Sequence, residues 1–190
     1  MATMILGIYS AAFAKRPMVT QSLTSAVIFG TGDVIAQQGI ENKGLGNHDF
    51  ARTARFVFYG SCLFGPVLTK WYQFINRRQF SSQLRAITYK VALDQLALAP
   101  FVTVPMFFGT MSILEGQPDE AIPRIKNAYT STLARGWCLF IPAQIINFSL
   151  VPTSMRLLFH ASIGLCWNTY LSFFNAKQRE LLEEHNENPP

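Results

Sequence analysis

The stretch GWCLFIPAQIINFSLVPTSMRLLFHASIGLCWNTYLSFFN, residues 136–175, decides the fold. Along its whole length only Arg156 and His160 interrupt an uncharged run. A helix needs ~20 mostly apolar residues to cross a bilayer. The run therefore holds two crossings with a break at Val151-Pro152, or one long kinked crossing followed by an interfacial segment.

Working outward, residues 91–114 form a second apolar stretch, with Asp94 near its start and Pro100 and Pro105 inside it. Two prolines would break a soluble helix. In a bundle within lipid, neighbouring helices and Thr hydroxyls satisfy the freed carbonyls. Residues 53–75 contain Tyr59, Gly60, Gly65 and Pro66 and close on Trp71-Tyr72. Beside Lys70 and ahead of Arg77-Arg78, that aromatic pair reads as an interfacial anchor. Residues 18–40 follow Pro17, a residue suited to a first helical turn, and carry one charge, Asp33. Ser22, Ala26 and Gly30 make a ridge of small side chains there, which lets helices approach closely.

The connections are a glycine-rich loop, Glu41 to Asn47, a basic loop with Arg77, Arg78, Arg85 and Lys90, and a mixed-charge loop from Glu115 to Arg135. The pattern from Ala121 to Leu133 allows a short amphipathic helix. The expected fold class is all-α: a multi-pass transmembrane helical bundle with short amphipathic connecting helices. Four crossings are favoured and five are the alternative. Residues 1–176 form a single membrane-embedded domain. Residues 177–190 are a polar, acidic tail (Glu180, Glu183, Glu184, Glu187), expected to be disordered.

Composition agrees. Of 190 residues, 49% are hydrophobic and 14% charged, against about 25% charged in soluble domains; mean hydropathy is +0.19. The net charge is +5, but Lys and Arg are spread over short loops and the aromatics lie inside the apolar runs. That excludes a nucleic-acid surface, which needs both on one face. With four crossings, one side would hold Lys15, Arg16, Arg77, Arg78, Arg85, Lys90, Lys177 and Arg179. The other would hold Lys43, Arg52, Arg55, Arg124, Lys126 and Arg135. That bias is too small to orient the chain.

No catalytic or cofactor motif emerges, and no enzyme activity is expected. Gly30-Thr31-Gly32-Asp33 lacks the third glycine and the preceding strand of a dinucleotide site. His48, His160 and His185 are far apart, and Cys62, Cys138 and Cys166 have no metal-ligand spacing. Neither a metal nor a cofactor is expected. The candidate residues are the polar groups at membrane depth: Asp33, Gln37, Asp94, Gln95, Gln144, Asn147 and Arg156. An ionisable group there costs at least ~3 kcal/mol unless paired or hydrated, so all should point into the bundle. They line a hydrated path, or they lock the helices together by hydrogen bonds. Lys90 and Asp94 are spaced to pair across one helical turn, and Asp33 and Arg156 need partners from other helices, each other included.

Two segments carry a resemblance: Gln144-x-x-Asn147-Phe148-x-x-Val151-Pro152-x-x-x-Arg156, and Trp167-Asn-Thr-Tyr170-Leu171-Ser172. With Gly32-Asp33, Gln37, Arg52, Gly65-Pro66, Trp71-Tyr72, Lys90 and Asp94-Gln95, they resemble the Mpv-seventeen/peroxisomal-membrane-protein family over residues 9–175, its stress-inducible yeast mitochondrial member and fungal relatives included. Thr69 and Ile141 depart from the family's usual His and Trp. The resemblance implies a multi-pass protein of the inner mitochondrial membrane, or else of the peroxisomal membrane. It also implies channel-like passage of small solutes or ions, stress tolerance and mitochondrial DNA maintenance. The expected path is lined by Asp33, Gln37, Asp94, Gln95, Gln144 and Asn147, with Lys90 and Arg156 balancing charge. The partners are the lipid bilayer and small solutes or ions, without nucleic acid. A wide pore would need a homo-oligomer, because four helices enclose little water. The alternative is a non-conducting membrane scaffold.

Overall fold

The computed structural model describes residues 2–167, with side chains from residue 7, and these residues are helical with short connections. We label the helices α1 (Ala2–Lys15), α2 (17–40), α3 (50–75), α4 (Gln83–Leu114), α5 (Ala121–Leu150) and α6 (156–167). Their ends follow local chemistry. Pro17 opens α2. The Asp49 carboxylate caps α3 by accepting the Arg52 backbone N–H at 2.8 Å. Gly116, at φ 75°, turns the chain out of α4 while Gln117 N–H bonds back to the Ser112 carbonyl. Val151 is extended before Pro152, as the proline ring demands of the residue ahead of it. The break between α5 and α6 therefore falls at Val151-Pro152.

Helices α2 to α6 run antiparallel in chain order. Gly65 meets Ser22 while Gly30 meets Val57. Asn76 bonds Lys90 while Phe56 faces Phe107. Trp137 bonds Gln95 while Tyr129 bonds Pro100. Asn147 reaches Arg156 while Phe140 stacks on His160. Helix α6 comes back to α2, where Leu165 packs on Gly32.

The seam between α2 and α3 depends on missing side chains. A Cβ on Gly60 would stand 2.7 Å from the Ser25 carbonyl oxygen, and one on Gly65 would stand 2.8 Å from the Ser22 Cα. Ser22 and Gly30 of the expected ridge are part of this seam. Its other half, Gly60 and Gly65, was visible only as isolated glycines.

Three helices widen into π register, at Ala36–Ile40, Tyr59–Phe64 and Asp94–Thr103. In the last, Val104 N–H bonds the Ala99 carbonyl five residues back. That spacing relieves the clash of a proline ring with the carbonyl four residues back. It also leaves the Gln95 and Pro100 carbonyls without the donors that Pro100 and Pro105 lack. Both are filled from α5: Trp137 Nε1 donates to Gln95 O at 3.0 Å and Tyr129 Oη to Pro100 O at 3.1 Å. The expectation that neighbouring helices supply the lost bonds is met by two aromatic donors. Thr103 adds a bond to Ala99 O at 3.2 Å.

Some expectations are corrected. Helix α4 begins at Gln83, so Arg85 and Lys90 are helical and the loop is 76–82. Residues 121–133 are no separate connecting helix but the first part of α5, which continues through Pro142. Docking of both Tyr129 and Trp137 on α4 holds the two parts in one line. Of the described helices one, Gln83–Leu114, is by itself both long and apolar enough to cross a membrane. The tail at 177–190 and the segment Asn168 to Ser172 lie outside the described residues.

The interior mixes a hydrophobic core (Leu68, Ile75 and Leu157 wholly buried, with Tyr59, Phe64 and Phe148) with many polar side chains. The exterior is rich in large apolar groups, among them Leu23, Val27, Leu96, Phe101, Ile113 and Leu150.

Candidate functional site

Six of the sequence-selected polar residues are buried, while Lys90 and Arg156 are partly exposed. Asp33, Gln37, Asp94, Gln95, Gln144 and Asn147 are each at most 4% exposed. They form two separate knots.

The first ties α2 to the start of α3. Asp33 Oδ2 accepts from Gln37 Nε2 at 2.7 Å and from Thr53 Oγ1 at 2.6 Å. Asp33 Oδ1 lies 2.7 Å from Arg52 Nε, an ion pair whose N–H is off the hydrogen-bonding line. The Gln37 amide closes on the Asp49 backbone from both sides, donating to its carbonyl at 3.1 Å and accepting its N–H at 2.7 Å. Arg52 spans outward to Glu41 at 2.7 Å. Burial pushes the Glu41 carboxyl up, but Arg52 and Lys43 beside it outweigh burial and hold its pKa below the usual value. Asp33 thus finds its cation in Arg52, one helix away, and not in Arg156.

The second knot joins α3, α4 and α5. Asp94 Oδ1 accepts from Trp71 Nε1 at 3.1 Å. Asp94 Oδ2 accepts from Gln95 at 2.8 Å and Gln144 at 2.6 Å. Gln144 also reaches the Tyr72 hydroxyl at 3.4 Å and accepts from Asn147 at 2.7 Å. Asn147 ends the chain on the Arg156 carbonyl at 3.2 Å. Trp71 and Tyr72 are therefore no interfacial anchor. Their polar tips turn inward, the Trp71 indole donating to the buried carboxylate and the Tyr72 hydroxyl accepting from Gln144, because buried polar groups demand partners. Lys90 does not pair with Asp94 either; its ammonium bonds Asn76 Oδ1 at 2.7 Å. Trp71, Asn76, Thr53 and Trp137 were not selected from the sequence. Their signal, a single polar atom on a largely apolar side chain or at a helix edge, does not reveal its partner.

Beside the second knot lies a cavity of about 160 Å³ between α3, α4, α5 and α6. A buried water needs about 10–15 Å³ of such space, so several would fit. The wall is chiefly aromatic and aliphatic: Phe64, Leu98, Phe107, Phe108, Leu133, Trp137, Phe140 and Trp167. Of the sequence-selected residues only Asp94 and Gln95 reach it. His160 joins the wall, stacked on Phe140 at 5.4 Å, and its Nδ1 has no partner among the described residues. Asp33 and Gln37 lie apart from this cavity.

Comparison with known proteins places the whole arrangement. Residues 112–172 match the Mpv17 / PMP22 family model. Protein sym-1 of Neurospora crassa is 38% identical over 175 residues, covering 91% of this chain and 100% of that protein. Protein SYM1 of Mycosarcoma maydis is 45% identical over 158 residues, 82% of this chain and 78% of that protein. Protein SYM1 of Saccharomyces cerevisiae is 38% identical over 186 residues, 93% and 92%. The chain belongs to the Mpv17 / PMP22 family. Its SYM1 relatives align with it over most of their length. The stretch matched by the Mpv17 / PMP22 model spans Gln144, Asn147 and Arg156, the α5–α6 side of the second knot. No solved structure matches the chain.

Proposed function

We propose that this Mpv17 / PMP22 protein is a multi-pass protein of the inner mitochondrial membrane that passes small solutes or ions, and that the arrangement described is its closed state. The embedding reading is supported by inverted polarity. Among the described residues ten polar or charged side chains are buried while large apolar ones face outward, the reverse of a soluble surface. Only 22% of the apolar window of α4 is buried inside the protein, whereas the core helix of a soluble protein would be mostly enclosed. Helices α2 to α5 each exceed the ~20 residues that a crossing needs.

The observation carrying the conduction reading is the aromatic cavity with Asp94 in its wall. An apolar passage gates by losing its water, and the Asp94–Gln144–Tyr72 knot lies beside this cavity. Opening would require that knot to part, with Asp94 the charge that entering solute meets. The role is non-enzymatic and serves organelle homeostasis under stress, mitochondrial DNA maintenance included. A wide path would need several copies of the chain.

The second reading, a non-conducting scaffold, draws on the fact that the polar side chains largely satisfy one another. Recording from the purified protein in planar bilayers separates the two. Discrete openings whose ion preference changes in Asp94→Asn, in protein that stays folded, are expected. A silent bilayer from folded wild-type protein would overturn conduction and leave the scaffold.

A further inference from the structure

The two ends of the bundle differ in charge pairing. Every described ion pair lies at the end formed by the turns at 41–49 and 115–120. There Arg52 meets Asp33 and Glu41, Lys43 meets Glu41, Arg55 meets Asp49, and Arg124 meets Glu115 and Glu120. The opposite end is formed by the 76–82 turn and the Val151-Pro152 break. It carries Arg77, Arg78, Arg85, Lys90 and Arg156, and no described carboxylate closer than the buried Asp94.

Two of these cations converge. Lys90 Nζ from α4 and Arg156 Nη1 from the start of α6 bond the same neutral oxygen, Asn76 Oδ1, at 2.7 and 3.0 Å. They therefore lie within about 6 Å of each other and repel. Both also sit over the Phe148 ring, at 5.9 and 5.4 Å from its centroid, a weak compensation. Among the described residues neither meets a carboxylate at ion-pair distance. Arg156 is fixed further by its Nε–H bond to Val151 O at 3.2 Å. Both side chains are only partly buried, so the pair is reachable from outside. A convergent Lys–Arg pair with no described carboxylate at ion-pair distance offers the charge and the donors that an anion takes. Rotation of the Asn76 amide would turn its Nδ2 donor toward the anion in place of the oxygen.

We propose that Lys90, Arg156 and Asn76 form a phosphate-binding site at the basic end of the bundle. It takes the phosphate of an anionic lipid headgroup or a soluble phosphate. Basic pockets between membrane helices hold lipid headgroups in this way, and the inference does not depend on conduction.

The test is a titration of the detergent-solubilised full chain with phosphatidylglycerol, read by native mass spectrometry. In parallel, its melting temperature is followed against inorganic phosphate. Lys90→Gln is the test variant, since among the described residues the polar and ring contacts of Lys90 are with Asn76 and Phe148. Arg85→Gln, exposed at the same end, controls for overall charge. A lost charge-assisted bond of about 1.5–3 kcal/mol corresponds to a roughly tenfold or greater loss of affinity. Phosphatidylglycerol binding weakened to that degree by Lys90→Gln but not by Arg85→Gln supports the site with lipid as its source. Saturable stabilisation by inorganic phosphate, lost in Lys90→Gln alone, supports it with soluble phosphate as its source. Equal weakening by both variants, or no binding of either probe, overturns it.

Discussion

Trp137 Nε1 donates to the Gln95 carbonyl at 3.0 Å, the acceptor that the π register of α4 assigns to Pro100, which has no N–H to give. One indole on α5 thus repairs the backbone of α4 beside Asp94 and Gln95, which line the cavity.

Removing that donor should therefore be costly. Trp137→Phe leaves the Gln95 carbonyl without its donor and should destabilise the protein by about 1–3 kcal/mol. Tyr129→Phe, which strips the donor from Pro100 O, should act alike. Unfolding in mixed detergent micelles measures both. A double variant whose loss equals the sum would show that the two carbonyls are repaired independently.

The α2–α3 seam makes a steric prediction. Gly65→Ala places a methyl 2.8 Å from the Ser22 Cα, and Gly60→Ala one 2.7 Å from a backbone oxygen. Neither obstacle is a flexible side-chain end, so the helices must separate. A loss of about 1–3 kcal/mol is expected, against little change for Gly109→Ala, where a Cβ meets nothing. Equal melting temperatures for Gly65→Ala and Gly109→Ala would refute the seam.

Acid should loosen the 41–49 turn. The Glu41 pKa is lowered from 4.5 because Arg52 and Lys43 outweigh burial. Asp49 is lowered chiefly by the Arg52 backbone N–H it caps. A carboxylate with a lowered folded pKa contributes stability that is complete above its unfolded value and is lost as pH falls through the folded one. Comparing Glu41→Gln with wild type across a pH series should show a constant deficit near neutrality, at most about 1 kcal/mol for so exposed a pair. That deficit should begin to shrink as pH falls through 4.5 and be gone once pH is below the lowered folded value.

Much of this protein was legible from residue order. The start at Pro17 and the break at Val151-Pro152 follow from the proline ring, and the inward placement of Asp33, Gln37, Asp94, Gln95, Gln144 and Asn147 follows from one further fact. Charges and unpaired polar groups are too costly in an apolar surrounding to lie anywhere else. Membership of the family was legible too, from the fixed spacing between Gln144 and Arg156.

Partnership was decided only by the tertiary structure. Sequence spacing put Lys90 beside Asp94, yet Trp71, Gln95 and Gln144 reach the carboxylate and Lys90 turns to Asn76. Asp33 is answered by Arg52 at 2.7 Å and Arg156 by Asn76 at 3.0 Å. A near-even count of basic residues on the two sides concealed that one end is neutralised and the other is not. The reason is geometric. Burial depends on each residue's own chemistry and its helical period, which the chain order carries. Which donor reaches which acceptor depends on the register between helices, set by where Gly60 and Gly65 let α3 close on α2 and where Trp137 and Tyr129 dock on the prolines of α4.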